Sequence, residues 1–159
     1  MNKICVIGAY GFVGRSLCSE LEKSDRIVKG VVRFLDPNFL SNKIKYISIG
    51  NIGPNTEWRD ILSGYDCIIH CAGKAHGMNK NIQLDAYMAS NVDGTRRLAQ
   101  QAAEAGVKRL IFLSSIKVNG ESTDNVLNNN NKNNLNNKIF TQTDLPNPED
   151  PYAISKFEA

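Results

Sequence analysis

The sequence predicts an α/β fold, a doubly wound parallel sheet of about five strands, and three features of it lead there. Short apolar runs alternate with segments of helical period, the runs are apolar throughout rather than at every second residue, and a glycine-rich turn joins the first run to the first helix. Strands that are apolar on both sides suit a parallel sheet covered on both faces.

Lys3 to Ile7 is the first such run, and Phe12, Val13, Leu17 and Leu21 then recur at helical spacing. Ile27 to Arg33, Ile44 to Ile49 and Asp66 to His70 read as the second, third and fourth strands. Leu84, Met88, Val92, Thr95, Leu98, Ala99 and Ala102 mark one face of a long helix that Gly106 ends as a C′ glycine. Gly94 inside that helix costs about 1 kcal/mol against alanine, which predicts close packing of its turn on the sheet or on a ligand. Arg109 to Ser114 is the fifth strand. Residues 125–138, rich in asparagine and without an apolar period, read as a disordered surface insertion. Pro151 falls in the N1 region of a last helix that starts near Tyr152.

With 159 residues and a formal net charge of +3, the chain is expected to form one domain, 1–159, without the electrostatic footprint of a nucleic-acid or anionic-membrane partner. Cys5, Cys18, Cys67 and Cys71 lack the spacing of a zinc site or a disulfide scaffold and read as reduced, buried thiols. The apolar stretch after Met1-Asn2-Lys3 is too short for a transmembrane span or a signal h-region, so a cytoplasmic location is expected.

The chemistry begins at Gly8-Ala9-Tyr10-Gly11-Phe12-Val13-Gly14, which follows a predicted strand and opens a predicted helix. Backbone N–H groups and the helix dipole meet there, the arrangement that holds a dinucleotide pyrophosphate in an NAD(P)-binding Rossmann domain. Gly8 allows the sharp turn, Gly11 lets the backbone approach phosphate, and Gly14 lets helix and strand pack closely. Where an NAD-preferring domain places an acid to bind the ribose hydroxyls, this sequence has Arg33, with Asp36 nearby. An arginine can pair with a 2′-phosphate, so NADP is favoured over NAD. Tyr152 and Lys156 have the Tyr-x-x-x-Lys spacing that puts both side chains on one helix face. An ammonium one turn away would ready a phenol, whose unperturbed pKa is ~10, for proton exchange near neutrality. Ser114-Ser115 close the fifth strand, at the end where α/β sheets place ligand contacts.

Gly8-x-x-Gly11-x-x-Gly14, His70-Cys71-Ala72-Gly73, Asn91-Val92-Asp93-Gly94-Thr95, Leu113-Ser114-Ser115-Ile116-Lys117-Val118-Asn119-Gly120 and Pro151-Tyr152-x-x-x-Lys156 occur in one order along the chain. In this it resembles the extended short-chain dehydrogenases/reductases, and among them the NAD-dependent epimerase/dehydratase family that acts on nucleotide sugars. Ser-Ser-x-Lys-Val-Asn-Gly, with Cys-Ala-Gly-Lys-Ala-His at residues 71–76, is most similar to the UDP-hexose 4-epimerase and 4-keto-reductase branch.

The resemblance implies Ser115 as catalytic hydroxyl, Tyr152 as acid/base, and Lys156 as the ligand of nicotinamide ribose. It implies a cofactor site of Gly8, Tyr10, Gly11, Phe12, Val13, Gly14, Arg33, Asn51, Ile52, Cys71, Ala72, Gly73 and Asn91, shared with Tyr152 and Lys156. Asn51 would face the adenine amine and Asn91 would brace the strand end. It requires no metal at His70 or His76, admits a homodimer, and points to a nucleotide sugar, a UDP-hexose, as partner. Relatives continue beyond the point matching Ala159 with further strands and a substrate-gripping domain. The Rossmann domain is therefore expected to be incomplete, with Lys156 near a fraying end. Two outcomes follow: the amino-terminal portion of an active NAD(P)-dependent 4-epimerase or 4-keto-reductase, or a catalytically silent dinucleotide-binding module of the same family.

Overall fold

The computed structural model describes residues 2–39, 41–75, 84–123 and 139–159. Five parallel strands, β1 (Lys3–Ile7), β2 (Ile27–Val32), β3 (Ile44–Ser48), β4 (Cys67–His70) and β5 (Arg109–Phe112), form one sheet in the order β3-β2-β1-β4-β5. The chain winds outward from β1 to one edge and then returns to its other side. The strand order reverses between β1 and β4, and a crevice opens there at the carboxyl ends of the strands.

The apolar runs bury both faces, as continuous hydrophobicity requires. Ile4 and Val6 of β1 point to the side covered by α1 (Phe12–Glu22), where they meet Cys18, Val28, Val32 and Ile44. Cys5 and Ile7 point to the other side, against Val31, Ile68, Trp58, Leu62, Leu98 and Ala102. That second layer is built by α2 (Arg59–Leu62) and α4 (Gly94–Glu104). The sequence reading missed α2, a single turn whose period is too short to register, although Trp58 and Leu62 are fully buried. All four cysteines are free thiols, three of them buried and Cys71 half-buried.

Strand ends are shorter than predicted. β2 stops at Val32, and the carbonyl of Val31 turns to the N–H groups of Gly8 and Ala9, at 2.9 and 3.1 Å. β5 stops at Phe112, paired with His70, and leaves Ser114 and Ser115 in the following loop.

The predicted long helix is three segments: α3 (Leu84–Tyr87), a π-helical turn (Met88–Asp93), then α4. The wider turn shifts the buried face, so that adjacent Asn91 and Val92 both point inward, which the 3.6-residue period did not anticipate. Leu84, expected on the buried face, is 40% exposed at the segment's start. Gly106 ends α4 at φ +72° as expected, with Val107 N–H bonding the Ala102 carbonyl and Gly106 N–H that of Ala103. Gly94 packs against the loop after β3 rather than against the sheet. A Cβ there would lie 2.6 Å from Ile52 Cγ2, in the loop after β3. The last helix, α5 (Pro151–Glu158), begins one residue before Tyr152, and Asp150 caps it by accepting from Ala153 N–H at 2.6 Å. The asparagine-rich segment 125–138 lies outside the described residues.

Candidate functional site

At the switch point the turn after β1 is held in a conformation that glycine alone tolerates. Gly8 has φ +83°, and a Cβ there would come 2.7 Å from the backbone nitrogen of Ala72 after β4. A Cβ at Gly14 would overlap the Gly8 carbonyl, so the first turn of α1 lies directly on the loop. Gly11 is the N-cap of α1 and supplies no side chain to its first N–H groups, and no acidic residue occupies that turn. Donors and the positive end of the dipole are thus left for an anion.

In front of this turn lies a cavity of about 880 Å³, within the range of sites that take cofactors. Of the residues predicted from sequence, Gly8, Tyr10, Gly11, Arg33, Asn51, Ile52, Cys71, Ala72 and Gly73 line it. Phe12, Val13 and Gly14 do not. Phe12 and Val13 are exposed at the start of α1, 87% and 47%, while Gly14 is buried against Gly8. The cavity also takes in Phe34, Leu35, Phe39, Lys74, Ala89 and Ser90, which sequence reasoning did not single out. They come from the loop after β2, the loop after β4 and the π-helical turn, elements without a sequence period.

A second group assembles beside the first. Asn91 is buried in the π-helical turn, accepts from Lys74 N–H at 2.6 Å, and donates to the Lys74 carbonyl and to Ser155 Oγ at 3.0 and 2.8 Å. It thereby ties the cavity wall to α5, and Ser155 Oγ donates in turn to the Tyr152 carbonyl at 2.8 Å. Lys156, expected at a fraying end, is instead 5% exposed, its ammonium 3.8 Å from the centroid of Phe112. Packing of Ala153 and Ser155, both fully buried, holds this helix in place despite its position in the chain. A Cβ at Gly73 would lie 3.9 Å from Lys156 Nζ and 3.5 Å from Asn91 Oδ1, ordinary contact distances that put this point of the wall beside both groups.

Burial lowers the Lys156 amine to about 8, partly offset by the neighbouring Cys71. His70, at the end of β4, is pushed down to about 4, first by burial and then by the Lys156 charge. Its Nε2 shares a hydrogen bond with Thr95 Oγ1 at 3.1 Å, while its Nδ1 is buried without a partner among the described residues. His70 is therefore a neutral core residue below the site; His76 lies outside the described residues.

Ser115 sits at the head of a 3₁₀ turn, Ile116–Val118, where its hydroxyl accepts from Lys117 N–H at 3.3 Å. The Lys117 ammonium reaches Asp150 Oδ2 at 2.6 Å and Glu121 Oε1 at 2.7 Å, bonds that raise its pKa. Since Asp150 caps α5, this bridge docks the Ser115 turn on the helix that carries Tyr152. Tyr152 is half-buried, its ring edge-on to Tyr87 with centroids 6.5 Å apart.

Comparison with known proteins gives a consistent result. The model of the family described as NAD dependent epimerase/dehydratase matches residues 4–159. A UDP-glucose 4-epimerase of Vibrio cholerae is 40% identical over 99% of this chain and 45% of its own length. A UDP-N-acetyl-alpha-D-glucosaminuronate decarboxylase of Bacillus cytotoxicus is 33% identical over 77% of this chain and 40% of its own. Among solved structures, MoeE5 in complex with UDP-glucose and NAD superposes with a TM-score of 0.78 at 28% identity, covering 98% of this chain and 46% of that one. The chain thus spans about half the length of the curated relatives it matches. Among the described residues no helix is long and apolar enough to cross a membrane.

Proposed function

The chain belongs to the NAD dependent epimerase/dehydratase family, and from that membership we propose that it is the cofactor-binding and proton-transfer portion of an NAD(P)-dependent nucleotide-sugar 4-epimerase or 4-keto-reductase. The observation that carries this reading is the meeting of two groups at Gly73. The cavity wall built on the glycine turn ends where Lys156 and Asn91, from elements distant in sequence, arrive.

The residues present fit a dinucleotide. The uncapped first turn of α1 and the backbone of Gly8 and Gly11 would hold the pyrophosphate, and Asn51 and Ile52 would flank the adenine. Arg33 is exposed on the cavity wall immediately after β2. Asp36 Oδ1 accepts from the backbone and side-chain N–H groups of Asn38, both at 2.9 Å, which turns that oxygen into its own loop. That balance favours NADP over NAD.

A bound NAD(P) would supply the hydride chemistry at C4 of a UDP-linked hexose. Tyr152 exchanges the proton of O4, Ser115 hydrogen-bonds that oxygen, and Lys156 orients the nicotinamide ribose from the Gly73 side. Most of the protein's work here is orientation. The bridge from Lys117 to Asp150, which links the Ser115 turn to the cap of the helix bearing Tyr152, supports that role.

Two measurements test the proposal. The melting temperature should rise with NADP, and less with NAD, at millimolar concentration; no rise with either removes the cofactor reading. UDP-hexose turnover by the chain should vanish in Tyr152→Phe. Cofactor binding without turnover on any UDP-hexose would leave a dinucleotide-binding module and overturn the catalytic part.

A further inference from the structure

Tyr10 lies inside the glycine turn, between Gly8 and Gly11, where its side chain could be expected to face the cavity alone. Its aromatic ring instead stands in a column of rings. The Phe39 centroid is 4.8 Å away and the Tyr46 centroid 5.0 Å, both tilted to it. Its hydroxyl is committed as well, donating to the Phe39 carbonyl at 3.2 Å. Below, Tyr46 lies across Gly30 of β2 so closely that a Cβ at Gly30 would enter the ring. Above, the Arg15 guanidinium is 5.3 Å from the Phe39 centroid.

Phe39 lies in the segment between β2 and β3, both ends of which are anchored: the Arg33 carbonyl accepts from Gly50 N–H at 3.0 Å and from Ser48 Oγ at 2.7 Å, while Ser41 and Lys43 bond Glu22 at the end of α1. Phe39 N–H bonds the Asp36 carbonyl at 3.0 Å and Asn38 closes on the Asp36 carboxylate, so its internal bonds fix a local turn but do not attach it to the sheet. Phe34 and Leu35 are 68% and 58% exposed and do not root it in the core. Between those ends, Phe39 attaches the segment to Tyr10 by ring contact and hydroxyl bond and also meets the Arg15 guanidinium.

We infer that Tyr10 is a positioning residue for cofactor selectivity: by ring contact and hydroxyl bond to Phe39 it holds residues 34–39, with Asp36, at a fixed setting beside the separately anchored Arg33 over the dinucleotide cavity. The inference rests on the dinucleotide reading of that cavity. Tyr10 acts through the loop, so its loss changes which ribose substituent is preferred more than it changes grip on the pyrophosphate. Removing only the hydroxyl cuts the bond to the Phe39 carbonyl and keeps most of the ring contact; removing the ring frees the middle of the loop between its anchored ends.

The test combines hydrogen–deuterium exchange of the ligand-free chain with calorimetric titration of NAD and NADP, for wild type, Tyr10→Phe and Tyr10→Leu. Exchange in the 34–39 peptide should quicken at least threefold in Tyr10→Phe and further in Tyr10→Leu, with β2 unchanged. The ratio of the two dissociation constants should move toward unity by at least threefold in the same order. Equal weakening of both cofactors with unchanged loop exchange would mean that Tyr10 touches the pyrophosphate directly, and overturns the inference. Faster loop exchange with an unchanged ratio overturns it too, as does a wild type without preference. A wild type that binds neither cofactor refutes the dinucleotide reading itself, and the exchange data would still report whether Tyr10 anchors the loop.

Discussion

Asn91 and Ser155, 64 positions apart in sequence, share a buried hydrogen bond of 2.8 Å between Nδ2 and Oγ. The same Asn91 amide closes both backbone groups of Lys74, so one side chain couples the wall of the cofactor cavity to the helix that bears Tyr152 and Lys156. Asn91→Ala removes three bonds and strands buried partners, each worth about 1 kcal/mol or more. Urea unfolding should show a loss of about 3 kcal/mol, whereas Ser155→Ala, which removes the bonds to Asn91 and to the Tyr152 carbonyl, should lose about 2 kcal/mol. Equal losses would show that the contact to Lys74 contributes nothing.

Gly94→Ala sets two effects in opposition. Alanine gains about 1 kcal/mol in helix propensity, but its methyl would meet Ile52 Cγ2 at 2.6 Å. Overpacking should win, with a net loss of about 1–2 kcal/mol. In an Ile52→Ala background the clash disappears and the same substitution should be neutral or stabilising. The coupling is read from thermal unfolding of the four variants. Additive effects would show that Ile52 gives way at no cost.

Burial and the Lys156 charge hold native His70 neutral down to about pH 4, whereas the unfolded chain protonates it at about 6.5. Between those values the unfolded state binds more protons, so stability falls as pH falls from 6.5 to 4, by about 3 kcal/mol at most. His70→Gln, which retains an amide near the Thr95 hydroxyl, should flatten the stability profile in that window in urea titrations. Asp66 adds a separate acid-labile contribution. Its carboxylate accepts from Lys108 Nζ and from the N–H groups of Lys3 and Asn2, and the resulting depression of its pKa leaves that contribution in place until the pH falls below the ordinary aspartate range. The acid limb of His70→Gln should therefore persist only at the lowest pH.

Lys156 acts with the same sign in a higher pH window. Burial lowers its amine from 10.5 to about 8, so below pH 8 the native state carries a buried charge, a cost that fades as pH rises from 8 to 10.5 and the amine loses its proton. Lys156→Met, similar in volume and uncharged, should be at least as stable at pH 7, and its advantage should shrink toward pH 10. UDP-hexose turnover, if Lys156 orients the ribose as proposed, should be abolished in the same variant. Lower stability at pH 7 would show that the contact with Phe112 outweighs the desolvation cost.

The glycine turn, five strand cores, Gly106 and Pro151 were legible in the sequence because each rests on local chemistry. Continuous apolar runs such as Lys3–Ile7 must be covered on both faces, Gly106 alone reaches φ +72° cheaply, and proline suits a helix's first turn. The ordered motifs also placed the chain in its family, since spacing along a chain survives without coordinates. What the tertiary structure decided were contacts between segments with no common period. The π-helical turn that carries Asn91 inward, the Ile52 side chain that explains Gly94, the burial of Lys156 under Phe112, and the Tyr10–Phe39 contact all depend on loops set down from opposite sides of the switch point. Periodicity reports which face of an element is apolar, but the partner that a polar or aromatic side chain finds is fixed only when the sheet order brings those loops together.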